Sequence, residues 1–353
     1  MLDNITNEYE KLYFGKYEFI AKSPGLAISS IVLLIIASVV GTVGNALILL
    51  VVSKTKELHH TQSIFIVNLA ISDMYVTLVA DPMSIVGKIE GREFFDQNPA
   101  LCQFVGKLCT ISCISSLGSI TFLSINRYVY ICHNSYYKKI FSRCTCIVLC
   151  VALYSVGLVF VLLNIARIGN HHFDDKSLEC IWDRMATYSY TVIFSVGLVW
   201  IPLIVVGISY LRLFSYVQHK QKQVMSRENL TTNRSLKLAR TIFIVYSVFS
   251  VCWIPFAVLL VADFEDTFPQ EVHLCITVFA HLHPSLNWFI YYMTNGNFKS
   301  GFNNLIWFNH RHVETVSSFD QRSEVSERKD PSVHAKTISK MKNISLCEQQ
   351  VAD

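Results

Sequence analysis

The sequence is short of charge. Only 16% of its 353 residues are Asp, Glu, Lys or Arg, where a soluble globular protein carries about 25%. With 52% of the chain hydrophobic, that deficit argues against a water-soluble domain and for a membrane protein. The formal net charge of +4 is too small to argue for a nucleic-acid partner. The 11 cysteines are odd in number and mostly lie in apolar runs. They exclude a dense disulfide framework and fit membrane-buried thiols with room for one bridge. No cleaved signal is expected, because residues 1–25 carry acids, lysines and a sequon, and the first apolar run is too long for a signal core. An internal repeat is also missing, and only one acid sits clearly at midspan. A transporter or channel would bring inverted repeats or several midplane charges.

What is present is seven apolar runs, at about 26–52, 63–86, 101–131, 144–166, 186–211, 241–262 and 272–294. A spanning helix needs about 20 such residues, so each run predicts one span. The segments after runs one, three and five are basic, with Lys54 and Lys56, then Lys138, Lys139 and Arg143, then Arg212 to Arg240. The alternate segments are acidic or mixed. Positive charge stays in the cytoplasm, so the N-terminus is expected outside and the C-terminus inside a multi-pass cell-membrane protein. The expected fold is an all-α seven-transmembrane helix bundle over 26–295, preceded by an extracellular tail at 1–25. Residues 296–309 read as an amphipathic interfacial helix, with Phe298, Phe302, Leu305 and Ile306 on one face and Lys299 on the other. Residues 310–353 read as a disordered cytoplasmic tail. Asn4 opens a sequon on the outer side and is the glycosylation candidate.

Three polar residues stand inside these runs at a cost. Asn45 and Asp73 must find partners on other helices. Arg127, at the end of run three, is either a stop-transfer charge or part of a switch at the membrane face; on its own it leaves both readings open.

The surrounding motifs decide. Asn45, the stretch Leu69 to Asp73, Asn126-Arg127-Tyr128, Cys252-Trp253-Ile254-Pro255 and Asn287-Trp288-Phe289-Ile290-Tyr291 fall in order on runs one, two, three, six and seven. Together they resemble the rhodopsin-like G-protein-coupled receptors over about 26–308. Cys102-Gln103 with Gly106, the stretch Asn126 to His133, and Leu163-Asn164 resemble melatonin-type receptors within that family.

The resemblance implies a receptor, not an enzyme, that takes an extracellular small-molecule ligand and activates a heterotrimeric G protein, of the inhibitory class if the melatonin likeness holds. It implies a bridge from Cys102 to Cys180. It makes Asn126, Arg127, Tyr128, Tyr210, Phe249, Pro255, Asn287 and Tyr291 the switch residues. Asp73 and Ser116, with Asn45 and Asn287, correspond to a sodium pocket or to a hydrated polar network without an ion; no other cofactor is implied. The ligand candidates are Cys109, Thr110, Cys113, Asn164, Trp182, Arg184, Leu198, Trp253 and His281.

The departures matter as much. Cys109 stands where amine receptors place an aspartate, which argues against a biogenic amine. Arg184 and Leu198 depart from the melatonin pattern, and Arg184 with Lys107 either attracts an anionic ligand or supplies rim charges. Asn126 replaces the usual acid, so raised basal signalling is expected. Trp288 replaces the usual proline, and for that reason a non-signalling decoy or scaffold is the alternative. A light sensor needs a lysine on run seven, and 272–294 has none. Ser317, Ser318, Ser323, Ser326 and Ser332 are candidate phosphorylation sites for arrestin or ordinary tail serines.

Overall fold

In lipid, a run of more than 20 apolar residues can satisfy its backbone only by forming a helix. The computed structural model describes residues 14–163, 168–185, 187–223 and 229–305. Span one is Pro24–Lys54, span two Ser63–Gln97, span three Pro99–Cys132 and span four Arg143–Leu163. Span five starts as Tyr188–Phe194 and ends as Ile201–Gln223, and span six is Asn229–Ala262. Six helices among the described residues are long and apolar enough to cross a membrane. Span seven is divided into Gln270–Ala280 and His283–Thr294 by a turn at His281 and Leu282, so neither half is long enough alone. A further helix occupies 296–305. The chain clusters into two units, Met1–Gly301 and Phe302–Asp353, and of the second only helical residues 302–305 are described. Asn4, Asn164, the side chain of Leu198, Ile306 and the tail serines lie outside the described residues.

Proline accounts for the irregular turns. It lacks the N–H that an upstream carbonyl needs and crowds the preceding turn. In span two the helix widens over Val76–Ala80, just before Pro82. The Thr77 carbonyl there accepts the Ser38 hydroxyl at 2.6 Å. Span five widens over Ser195–Trp200, just before Pro202. Pro284 sits in the first turn of the second half of span seven, and the Asn45 amide donates to its carbonyl at 3.0 Å.

Residues 14–25 carry a short helix, Glu18–Lys22, and Phe14 and Phe19 are buried with Phe95, Phe173 and Leu274. Gly91, at φ 69°, makes this fit, since a Cβ there would meet the Phe14 carbonyl oxygen at 2.0 Å. The segment 87–100 is helical on either side of a break at Gly91, as far as Gln97. The loop after span four folds into an antiparallel hairpin, β1 His171–Asp174 and β2 Glu179–Trp182.

The packing is inverted relative to a soluble protein. Asn45, Asn68, Asp73, Ser115 and Ser119 are buried, while Ile28, Val39, Val148, Val159 and Leu211 point outward. Lipid tails are as apolar as leucine, so small and polar groups hold the helices together. Asn68, for example, donates to the hydroxyls of Ser115 and Ser119 at 2.9 and 2.8 Å.

Candidate functional site

At one end of the bundle the hairpin lies over the helices. A disulfide between Cys102 and Cys180 ties β2 to the start of span three. Below it is a cavity lined by Met83, Ser84, Cys109, Glu179 and His281. A second cavity is lined by Cys113, Leu117, Phe194, Phe249 and Trp253. Trp182 packs on Phe194 at 4.3 Å between ring centroids and meets Phe256 edge-on at 5.8 Å. Cys109, Cys113, Trp253 and His281 thus line cavities, and Trp182 adjoins them through Phe194.

Three expected ligand contacts sit elsewhere. Thr110 is buried under the hairpin against His171 Nε2, at 3.0 Å, and lines neither cavity. Lys107 donates to Gln103 on the exposed flank of span three. Arg184 is held by carboxylates: it pairs with Asp266 and, at 3.3 Å, with Asp263, which is fully buried. Lys176 in the hairpin turn also pairs with Asp266, at 2.7 Å. His273 Nε2 lies 2.7 Å from Asp263. Burial alone would raise the pKa of Asp263, but the Phe268 and Thr267 N–H groups, His273 and Lys176 outweigh it and hold the carboxyl below its usual value. Arg184 latches the hairpin onto the loop between spans six and seven.

Sequence reading missed both this latch and a second buried cluster. Asp81 Oδ1 accepts from His281 Nδ1 at 2.6 Å, and His281 Nε2 is 3.6 Å from Glu179 Oε2. Glu179 also accepts the Ser84 hydroxyl at 2.9 Å, and the buried Lys88 ammonium donates to that hydroxyl at 2.8 Å. The available signal was Asp81 itself, a second acid in span two that needed a partner.

Deeper in the bundle, Trp253 stacks on Phe249 and donates its indole N–H to His283 Nδ1 at 3.0 Å. His283 Nδ1 also lies 2.9 Å from the Ala280 carbonyl oxygen, and its Nε2 is 3.7 Å from Asp73 Oδ1. Asp73 accepts the Ser116 hydroxyl at 2.8 Å and the Asn287 amide at 2.6 Å. Asn45 bonds to the backbone carbonyls of Gly41 and Pro284 instead.

At the opposite end, Arg127 is buried, its Nε and Nη2 have no hydrogen-bond partner among the described residues, and its guanidinium lies over the Tyr130 ring at 5.7 Å. Asn126 pairs with the Tyr137 hydroxyl at 3.4 Å. Tyr210 packs on Phe243, Tyr291 stacks on Phe298, and Tyr128 bonds to His133. The tyrosines therefore stand around Arg127 without binding it. Pro255 lies inside span six, two residues past Trp253.

A sequence model described as "7 transmembrane receptor (rhodopsin family)" matches residues 44–291. The melatonin receptor type 1B-B of Danio rerio is 27% identical over 324 residues, covering 89% of this chain and 92% of that protein. The type 1A receptor of Ovis aries is 28% identical over 281 residues, covering 78% and 76%. The crystal structure of squid rhodopsin superposes with a TM-score of 0.72 at 19% identity, covering 84% of this chain and 88% of that one, which speaks to the fold.

Proposed function

Because the chain belongs to the rhodopsin family of seven-transmembrane receptors, we propose that it binds a small extracellular ligand beneath the hairpin and activates a heterotrimeric G protein at the Arg127 end. As a member of that family it is a multi-pass membrane receptor coupled to G proteins, and not an enzyme. The topology proposed puts the hairpin and Asn4 outside and the C-terminal tail, with its arrestin-type serines, in the cytoplasm.

The observation that carries the reading is the chain from Trp253 through His283 to Asp73. Trp253 is in a cavity wall, and Asp73 joins spans two, three and seven. A ligand that moves the indole would break or lengthen the bond to His283 and reset the charge neighbourhood of Asp73. Pro255 lets span six bend next to that indole. An outward swing of span six would then open a groove beside Arg127 for a partner helix. The ligand acts only through its different affinity for the two states.

The cavity walls favour a small aromatic ligand, stacked near Trp182 and Trp253. The relatives' names offer melatonin as one candidate; Arg184 and Leu198 stand against it. An inhibitory-class G protein is part of the same proposal. The decoy reading is favoured by one observation, Trp288 in place of a proline.

Nucleotide exchange on a panel of G proteins tests the reading, with Arg127→Ala as control. Exchange above background in the wild type and its loss in the variant are expected. Equal signal in both would refute it.

A further inference from the structure

Cys109 and Cys113 take no part in that chain of contacts. They stand one helical turn apart on span three, so both side chains leave the same face, and their Sγ atoms are 4.0 Å apart. Neither is in a disulfide, and both are partly exposed. Cys109 lines the cavity that holds Glu179 and His281, and Cys113 the one that holds Trp253 and Phe249. We propose that this pair is a binding site for a thiophilic metal ion, zinc in the first instance, between those two cavities.

The spacing suits a bis-thiolate. With metal–sulfur bonds of about 2.3 Å, two sulfurs 4.0 Å apart subtend an angle of about 120° at the ion, and tetrahedral geometry needs about 3.8 Å. A side-chain rotation of a few tenths of an ångström covers that gap. Both ring nitrogens of His281 face carboxylates, Nδ1 to Asp81 Oδ1 at 2.6 Å and Nε2 to Glu179 Oε2 at 3.6 Å, so the protein donors are the two thiolates and water fills the remaining positions.

Charge and protons balance: Zn²⁺ and two R–SH give Zn(SR)₂ and two H⁺. A rival exists in Asp263, Asp266 and His273, whose ligand atoms lie within 4.8 Å of one another. Arg184 and Lys176 already occupy those carboxylates, and a metal there would have to expel two cations.

The proposal deepens the ligand-site reading above, yet its test needs no G protein, so the two can fail separately. Full-length receptor in nanodiscs is equilibrated with micromolar zinc, and bound metal, released protons and thermal stability are measured. One zinc and two protons per receptor are expected. Cys109→Ser and Cys113→Ser, with Cys113→Ala as a second variant, should each weaken zinc binding by at least about tenfold, while His273→Ala leaves it unchanged. No zinc on the wild type, zinc retained by the double serine variant, or zinc lost in His273→Ala would each overturn the assignment.

Discussion

His171 makes a quantitative test of how the hairpin is held. Its ring is buried on β1, with Nε2 3.0 Å from the Thr110 hydroxyl. Burial, then Lys107 and His172, push its pKa from 6.5 down to about 4. The folded value lies below the unfolded one, so protonation favours the opened hairpin. The stabilisation is fully present above pH 6.5, declines as pH falls through 6.5, and is gone near 4. The gap of about 2.5 units is worth roughly 3 kcal/mol at about 1.4 kcal/mol per unit. Opening is local, because the bridge from Cys102 to Cys180 keeps β2 tethered. Hydrogen exchange of the strand amides, corrected for intrinsic rates, reads it directly. Between pH 6.5 and 4, protection in the wild type should fall about tenfold per pH unit relative to His171→Phe. Other groups titrate in that window, including Asp175, whose pKa burial raises despite Arg92, but they cancel in the difference. Parallel pH profiles for the two proteins would show that His171 is not held neutral by its surroundings.

Three shorter predictions follow from the same contacts. Gly44→Ala places a Cβ 2.0 Å from Trp288 Cδ1 and should destabilise by about 1–3 kcal/mol; combining it with Trp288→Leu should recover most of the lost melting temperature. Arg184→Ala leaves the buried Asp263 short of a cation and should cost up to about 3–5 kcal/mol. A double-mutant cycle with Asp263→Ala should then show strong non-additivity, and purely additive melting shifts would dismiss the latch. Asn126→Asp puts an acid next in sequence to Arg127, whose guanidinium has no ion pair among the described residues, and should lower basal nucleotide exchange; unchanged exchange would mean the missing acid is irrelevant to resting activity.

Much of the fold was legible because lipid imposes a simple rule. Uncharged runs such as 26–52 had to be helices, and Asn45, Asn68 and Asp73 had to face inward. The boundaries were less legible where prolines act: the division of span seven at His281 needed Pro284 to be weighed, not Trp288. Gly44 explains why Trp288 is accommodated at all, since its absent Cβ leaves room for the indole. Such complementarity between spans one and seven cannot be read from either span alone. The site was legible only in part. Cys109, Cys113, Trp253 and His281 line cavities, while Arg184 is engaged by carboxylates that the sequence did not point to. Its partners, Asp263 and Asp266, lie 79 and 82 residues away, and a sequence does not say which charges will find each other across that distance.

The arrangement of charge explains why so polar an interior can still switch. The Arg184 latch and the Asp81–His281–Glu179 cluster each bring opposite charges together, which ties the hairpin to the elements around it. Asp73 is different: its neighbours are dipoles and an imidazole, which can turn at little cost, whereas a salt-bridge partner could not. Arg127 differs again: among the described residues its guanidinium faces the Tyr130 ring at 5.7 Å and no carboxylate. A partner that supplies carbonyls to that guanidinium therefore makes contacts that the described bundle does not. The hairpin end is tied by ion pairs and a disulfide, the Arg127 end by aromatic contacts, and Trp253 lies between the two.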